Sequence, residues 1–162
     1  MTNYTWTVSA GGSITAGSTS EDITVTWSTV GAKTVTVTYT DGNGCNPASP
    51  TSKTVNVNPI PVPTISGPNS VCETKTGNIY TTEASKTSYT WAIPAGGTIT
   101  GGQGTNTATV TWNMPGAPQT INVTYISNGC PAAAPTVYDV TVVQTHPFKC
   151  PDKWNLEEGS DC

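Results

Sequence analysis

Acid–base, nucleophilic or metal chemistry draws on a short list of side chains, and this sequence is poor in them. Its 162 residues hold one histidine, ten carboxylates and six lysines, with no arginine. A serine triad needs an imidazole to take the proton, and the single histidine, His146, stands before Pro147 outside the patterned part of the chain. Glycoside hydrolysis needs two carboxylates converging on a cleft; from residue 64 to 143 the acids are Glu73, Glu83 and Asp139, with no twin set earlier. The five cysteines, Cys45, Cys72, Cys130, Cys150 and Cys162, include no Cys-x-x-Cys pair, so they read as disulfide formers rather than zinc ligands. Asp41-Gly-Asn-Gly-Cys45 has the opening of a calcium loop and lacks its later acidic ligands, so a plain turn is expected. No catalytic, cofactor or metal residue is assigned, and the chain is expected not to be an enzyme.

The elements that would position any site follow a repeat. Thr90–Trp112 reads TWAIPAGGTITGGQGTNTATVTW, and Thr5–Trp27 reads TWTVSAGGSITAGSTSEDITVTW. Both runs place their tryptophans at the same interval around A-G-G-[ST]-I-T, and the offset between them is 85 residues. A fixed period of this kind has to be recognised before any other reading. Threonine occurs 32 times, alternating with Val, Ile, Trp and Tyr, and side chains of that shape suit a pleated surface rather than a helix. Short alternating runs separated by Gly, Pro and Asn turns predict an all-β chain of antiparallel sandwich units.

The second unit, residues 64–143, is expected to hold about seven strands, the first of them at Thr64–Ile65. The first unit, residues 1–58, has only five residues ahead of Trp6 and is expected to lack the first two strands and the counterpart of Cys72. That pattern suits a segment cut from a longer array, or a unit completed by strands from a neighbour. Residues 59–63 form a proline-rich linker that favours extended backbone. Residues 144–162 form a charged, cysteine-containing tail outside the repeat.

Composition excludes several partners. Charged residues make up 10% of the chain, against about 25% in ordinary soluble domains. A net charge of −4 without a basic cluster does not suit nucleic acid, and no apolar run reaches the roughly 18 residues of a membrane span. Cysteine usage points to an oxidising, extracellular setting.

The motifs ISGPNSVC, Y-T-W, AGGTITGG, ATVTW, INVTY and S-N-G-C together resemble the PKD-like, immunoglobulin-like repeats of large secreted surface proteins from Bacteroidota. The resemblance covers residues 63–143 fully and 4–58 partly. It lacks the W-x-F-G-D-G turn of classical PKD repeats, so only the PKD-like branch is implied. Such repeats serve as spacers or adhesive stalk modules, and they bring no catalytic residues to transfer.

Within that frame Cys72 and Cys130 are expected to form a disulfide tying the two sheets, worth roughly 4 kcal/mol through loop closure. Cys150 and Cys162 form a second, weaker candidate pair. Cys45 matches Cys130 by the repeat, so its partner would fall in the missing segment, and it is expected unpaired or bonded to another chain. Trp6, Trp27, Trp91 and Trp112 fall on the apolar face of their strands and are expected in the core rather than on a sugar-stacking platform; Trp154 is the better exposed aromatic. The chain therefore reads as a non-catalytic stalk, spacer or filament segment of a secreted or cell-surface protein, an adhesin among the candidates. Its expected partners are neighbouring repeats or identical subunits. Two alternatives stand beside this: a carbohydrate- or surface-binding module recognising surface glycans, and a fibre subunit completed by strand donation.

Overall fold

In the computed structural model, which describes residues 1–116 and 118–145, the alternation with threonine becomes strand. Every regular element among the described residues is a strand. Aromatic and branched residues bury on one face of each strand, and threonine meets solvent on the other. The chain divides into two units, Met1–Pro61 with Asn128–Cys130, and Val62–Ser127 with the residues from Pro131 onward. The expectations for His146, Cys150, Trp154 and Cys162 lie outside the described residues.

Unit 1 contains β1 (Thr2–Val8), β2 (Gly12–Ala16), β3 (Thr24–Trp27), β4 (Gly31–Thr40) and β5 (Thr51–Val57). Unit 2 contains β6 (Ser70–Cys72), β7 (Asn78–Thr81), β8 (Thr87–Ala92), β9 (Gly97–Gly101), β10 (Thr107–Trp112), β11 (Gln119–Ser127) and β13 (Thr136–Val143), and the short β12 (Cys130–Pro131) pairs beside β11.

In unit 2, β7, β10 and β9 form one sheet, and β8, β11, β13 and β6 form the other. Tyr80, Ala108, Val110 and Trp112 from the first sheet meet Trp91, Ile121, Val123, Val140 and Val142 from the second, with Val71 closing the edge. Each large apolar side chain so buried contributes about 1.5–3 kcal/mol, so this cluster holds the unit together.

The start of unit 2 departs from expectation. Thr64–Ile65 is not a strand; the chain makes one isolated bridge, Ser66 to Thr81, and then crosses to the other sheet, where β6 pairs with β13 in parallel. The crossing follows from two residues. Pro68 offers no amide to continue pairing, and Gly67 lies so close to Tyr80 that a Cβ there would stand 2.4 Å from the ring. Two phenols pin the turn: Tyr80 donates to the Pro68 carbonyl at 3.0 Å, and Tyr138 to the Gly67 carbonyl at 2.8 Å.

Unit 1 repeats the same register with fewer strands. Its sheets are β1–β4–β5 and β2–β3. Trp6 opposes Val37 as Trp91 opposes Val123, and Gly12 opposes Trp27 as Gly97 opposes Trp112. Trp6 Nε1 donates to the Ser20 carbonyl at 2.8 Å, and Trp91 Nε1 to that of Thr105, 85 residues on, at 2.9 Å. The repeated A-G-G has a packing reason. A Cβ on Gly12 would stand 2.5 Å from the Trp27 ring, and one on Gly97 would stand 2.7 Å from Trp112, so each indole lies directly on glycine backbone. Among the described residues, unit 1 has no strand in the place of β6 or β7.

Candidate functional site

The absence of those two strands leaves a groove. A cleft of about 460 Å³ opens on unit 1, floored by Trp6, Ile23, Val25, Trp27, Val35, Val37 and Val55, with Lys53 at its rim. The strands that build this floor fold as their counterparts do, because their own alternation fixes which side chains face inward. Trp6, Ile23, Val25 and Val55 occupy the places of Trp91, Ala108, Val110 and Val140, which are buried in unit 2. In unit 1 all four are only half-buried.

Unit 2 shows what closes such a face. There β7 lies along β10, with Tyr80 opposite Ala108 and Ile79 opposite Thr109. The Tyr80 hydroxyl accepts from Trp112 Nε1 at 3.0 Å, its ring meets Trp112 edge-on at 6.3 Å, and burial pushes its phenol pKa up. On the other side Val71 of β6 lies beside Val142. In unit 1 the matching edges, of β3 and of β5, are unpaired. The indole N–H of Trp27 has no partner among the described residues. Strand β3 also begins two residues later than the repeat would place it (Thr24 against Thr107), since nothing pairs with Asp22 and Ile23 as Thr81 and Tyr80 pair with Thr107 and Ala108.

Several expectations are corrected by these observations. Trp91 and Trp112 lie in the core, at 2% and 0% exposure, whereas Trp6 and Trp27 are half-buried walls of an open groove. Their strands are those expected; the covering strands are what differ. The Cys72–Cys130 disulfide is not formed, and both thiols are free. Cys72 pairs opposite Val143 at one end of the sheet, while Cys130 follows the far end of β11, where Ala132 bonds back to Tyr125. The register of β11 on β13 separates those ends by some nine residue steps, roughly 30 Å, and a disulfide needs Cα atoms within about 7 Å. The parallel placement of β6, which alternation cannot reveal, sends Cys72 to the wrong end. Cys45 is exposed with a free thiol.

The acidic residues form no reaction centre. The Asp41 carboxylate accepts from the amides of Cys45 and Asn43 at 2.8 and 2.9 Å, bonds that lower its pKa and close a turn. Glu83 is pushed up by burial but pulled further down, to about 2, by bonds from Thr64 and Thr82, so it staples the start of unit 2. No group of three or more His, Cys, Asp or Glu among the described residues is placed to hold a metal. A slightly larger hollow of about 510 Å³ lies between the ends of β6 and β7 near Lys75 and Asn78. Its amide is already spent inside the fold, since Asn78 donates to the carbonyls of Lys75 and Val110. Lys53 is the residue sequence reasoning missed. The repeat offset aligns it with Tyr138, and that substitution of a cation for a core-edge phenol was legible in the sequence.

No helix among the described residues is long and apolar enough to cross a membrane. A search among curated proteins finds no match. Among solved structures the chain is similar to the crystal structure of the I9–I11 tandem from titin, with a TM-score of 0.37 and 13% sequence identity. That match covers 89% of this chain and 56% of the titin chain, so the chain spans little more than half of it. The model of the PKD-like domain matches twice, over residues 1–55 and 58–142, and the chain belongs to that family as two PKD-like repeats in tandem.

Proposed function

We propose that the chain is a non-catalytic spacer segment of an extracellular stalk or filament, which transmits tension between whatever lies on either side of it. The observation that carries this reading is the pairing of β6 with β13. The two strands run parallel, and their ladder is bracketed by bonds from Thr141 N to Asn69 O and from Glu73 N to Val143 O, both 2.8 Å. Tension entering ahead of β6 and leaving after β13 shears these bonds together, whereas strands pulled apart from one end would lose them singly. Support also comes from the low charge, the threonine-rich outer faces, and the proline-rich run from Pro59 to Pro63, which restricts backbone freedom at the joint.

Single-molecule extension of the chain held at both ends tests this. The expected record has two events, with unit 2 yielding at the higher force because unit 1 has no counterpart of β6. Glu73→Pro, which removes one bracketing amide, lowers the unit 2 force and leaves the unit 1 event in place. A unit 2 that yields no later than unit 1, or that is indifferent to Glu73→Pro, refutes the reading.

A further inference from the structure

The groove of unit 1 is specified in more detail than an apolar face usually is, because the same chain contains the closed form of the same face. We propose that this groove is a strand-acceptor site whose occupant is an extended two-strand segment of the β6–β7 kind, presented by a neighbouring PKD-like repeat. The occupant runs antiparallel along Asp22–Val25 and parallel along Asn56–Asn58. Those residues are the repeat equivalents of the stretches that β7 and β6 cover, Thr107–Val110 on β10 and Thr141–Val143 on β13.

Three unsatisfied features define its chemistry. First, both receiving edges carry unpaired backbone amides and carbonyls, and main-chain pairing along such edges is the general basis of strand addition. Second, the Trp27 indole N–H has no partner, where Trp112 has the Tyr80 hydroxyl at 3.0 Å. The occupant therefore brings an aromatic hydroxyl to the position opposite Ile23. Third, Lys53 is the one charged residue lining the groove. It stands where Tyr138 stacks against the Tyr80 ring at 6.1 Å and donates to the Gly67 carbonyl. An ammonium in that place meets the same ring as a cation on an aromatic face and bonds the same carbonyl. One tyrosine on the occupant thus answers both Trp27 and Lys53.

The floor is not a perfect copy. Ile23 replaces Ala108, which makes the seat of the ring shallower, while Val35 in the place of Ile121 returns part of the volume. The site accordingly discriminates among repeats rather than taking every β6–β7 segment equally. A second copy of this chain is the less suitable donor, because its own Tyr80 is fully buried in unit 2 and would have to leave that core.

A peptide of residues 63–86 with Cys72→Ser, added to the intact chain, supplies the probe. Hydrogen exchange is expected to slow at Asp22–Val25 and Asn56–Asn58, with a blue shift in indole emission from Trp6 and Trp27. Tyr80→Ala in the peptide is expected to weaken binding by at least about tenfold, as loss of a buried aromatic anchor does, and Lys53→Ala in the chain by a smaller factor. The same segment joined ahead of Met1 through a Gly–Ser linker is expected to raise the unfolding temperature of unit 1 alone. The proposal is overturned if those two edges gain no protection, or if a scrambled or Tyr80→Ala peptide binds equally well. It is also overturned if the chain self-associates through the groove and thereby excludes the peptide, which would make a second copy the occupant.

Discussion

Replacing Tyr80 by phenylalanine isolates the bond on which the closed repeat turns. Tyr80 is fully buried, and phenylalanine preserves its edge contacts with Trp112 and Tyr138 while deleting one oxygen. That oxygen serves two groups, accepting from Trp112 Nε1 and donating to the Pro68 carbonyl, each at 3.0 Å. A buried polar group left without a partner costs about 1–3 kcal/mol. The Trp112 indole, with 0% exposure, falls at the upper end. The Pro68 carbonyl belongs to a half-exposed residue that water can reach, and it falls at the lower end. Their sum, less the desolvation that the phenol itself no longer suffers, is about 2–3 kcal/mol. For a unit of this size, each kcal/mol moves the unfolding temperature by about 4–8 °C, so a drop of about 10–20 °C is expected. Urea titration followed by tryptophan fluorescence, with calorimetry beside it, reads the change, and the unit 1 transition should not move. A double-mutant cycle with Trp112→Phe should show coupling of about 1 kcal/mol or more, as contacting residues do. A loss below about 0.5 kcal/mol, or an additive cycle, would falsify the assignment of this bond as the latch of the repeat.

The glycine under each indole gives a paired comparison. Gly97→Ala drives a methyl into fully buried Trp112 and should cost about 1–3 kcal/mol, whereas Gly12→Ala meets the half-exposed Trp27, which can shift toward the open groove, and should cost less than half as much in the same titration. Glu83 has a folded pKa of about 2 against an ordinary 4.5, so its contribution is fully present above pH 4.5 and is lost as pH falls toward 2. Because the carboxylate is largely solvated, that contribution is about 1 kcal/mol rather than the full value of the shift, and Glu83→Gln should remove it and flatten unit 2 stability across that window. Alkylation of the native, non-reduced protein followed by mass mapping should label Cys45 and Cys72 readily, both being exposed; recovery of a Cys72–Cys130 cross-linked peptide would contradict the strand order described for unit 2.

The sequence by itself determined the local objects. Alternation placed β1, β3, β4 and β5 and their counterparts β8, β10, β11 and β13 on the correct faces, because a side-chain period of two admits one inward set. The interval between tryptophans and the A-G-G ahead of each second one marked a repeat of 85 residues, and the shortage of histidine and paired acids pointed away from catalysis. What the tertiary structure alone decided was how strands far apart in sequence meet. The parallel pairing of β6 with β13 depends on a sheet crossing at Gly67–Pro68 held by Tyr80 and Tyr138, contacts spanning 12 and 71 residues that no local pattern encodes. That one crossing sent Cys72 away from Cys130 and built the sheared ladder of unit 2. It also decided the fate of the tryptophans: the same residue type at the same repeat position is core in Trp112 and groove wall in Trp27. Burial belongs to the strand that covers a face as much as to the residue on it.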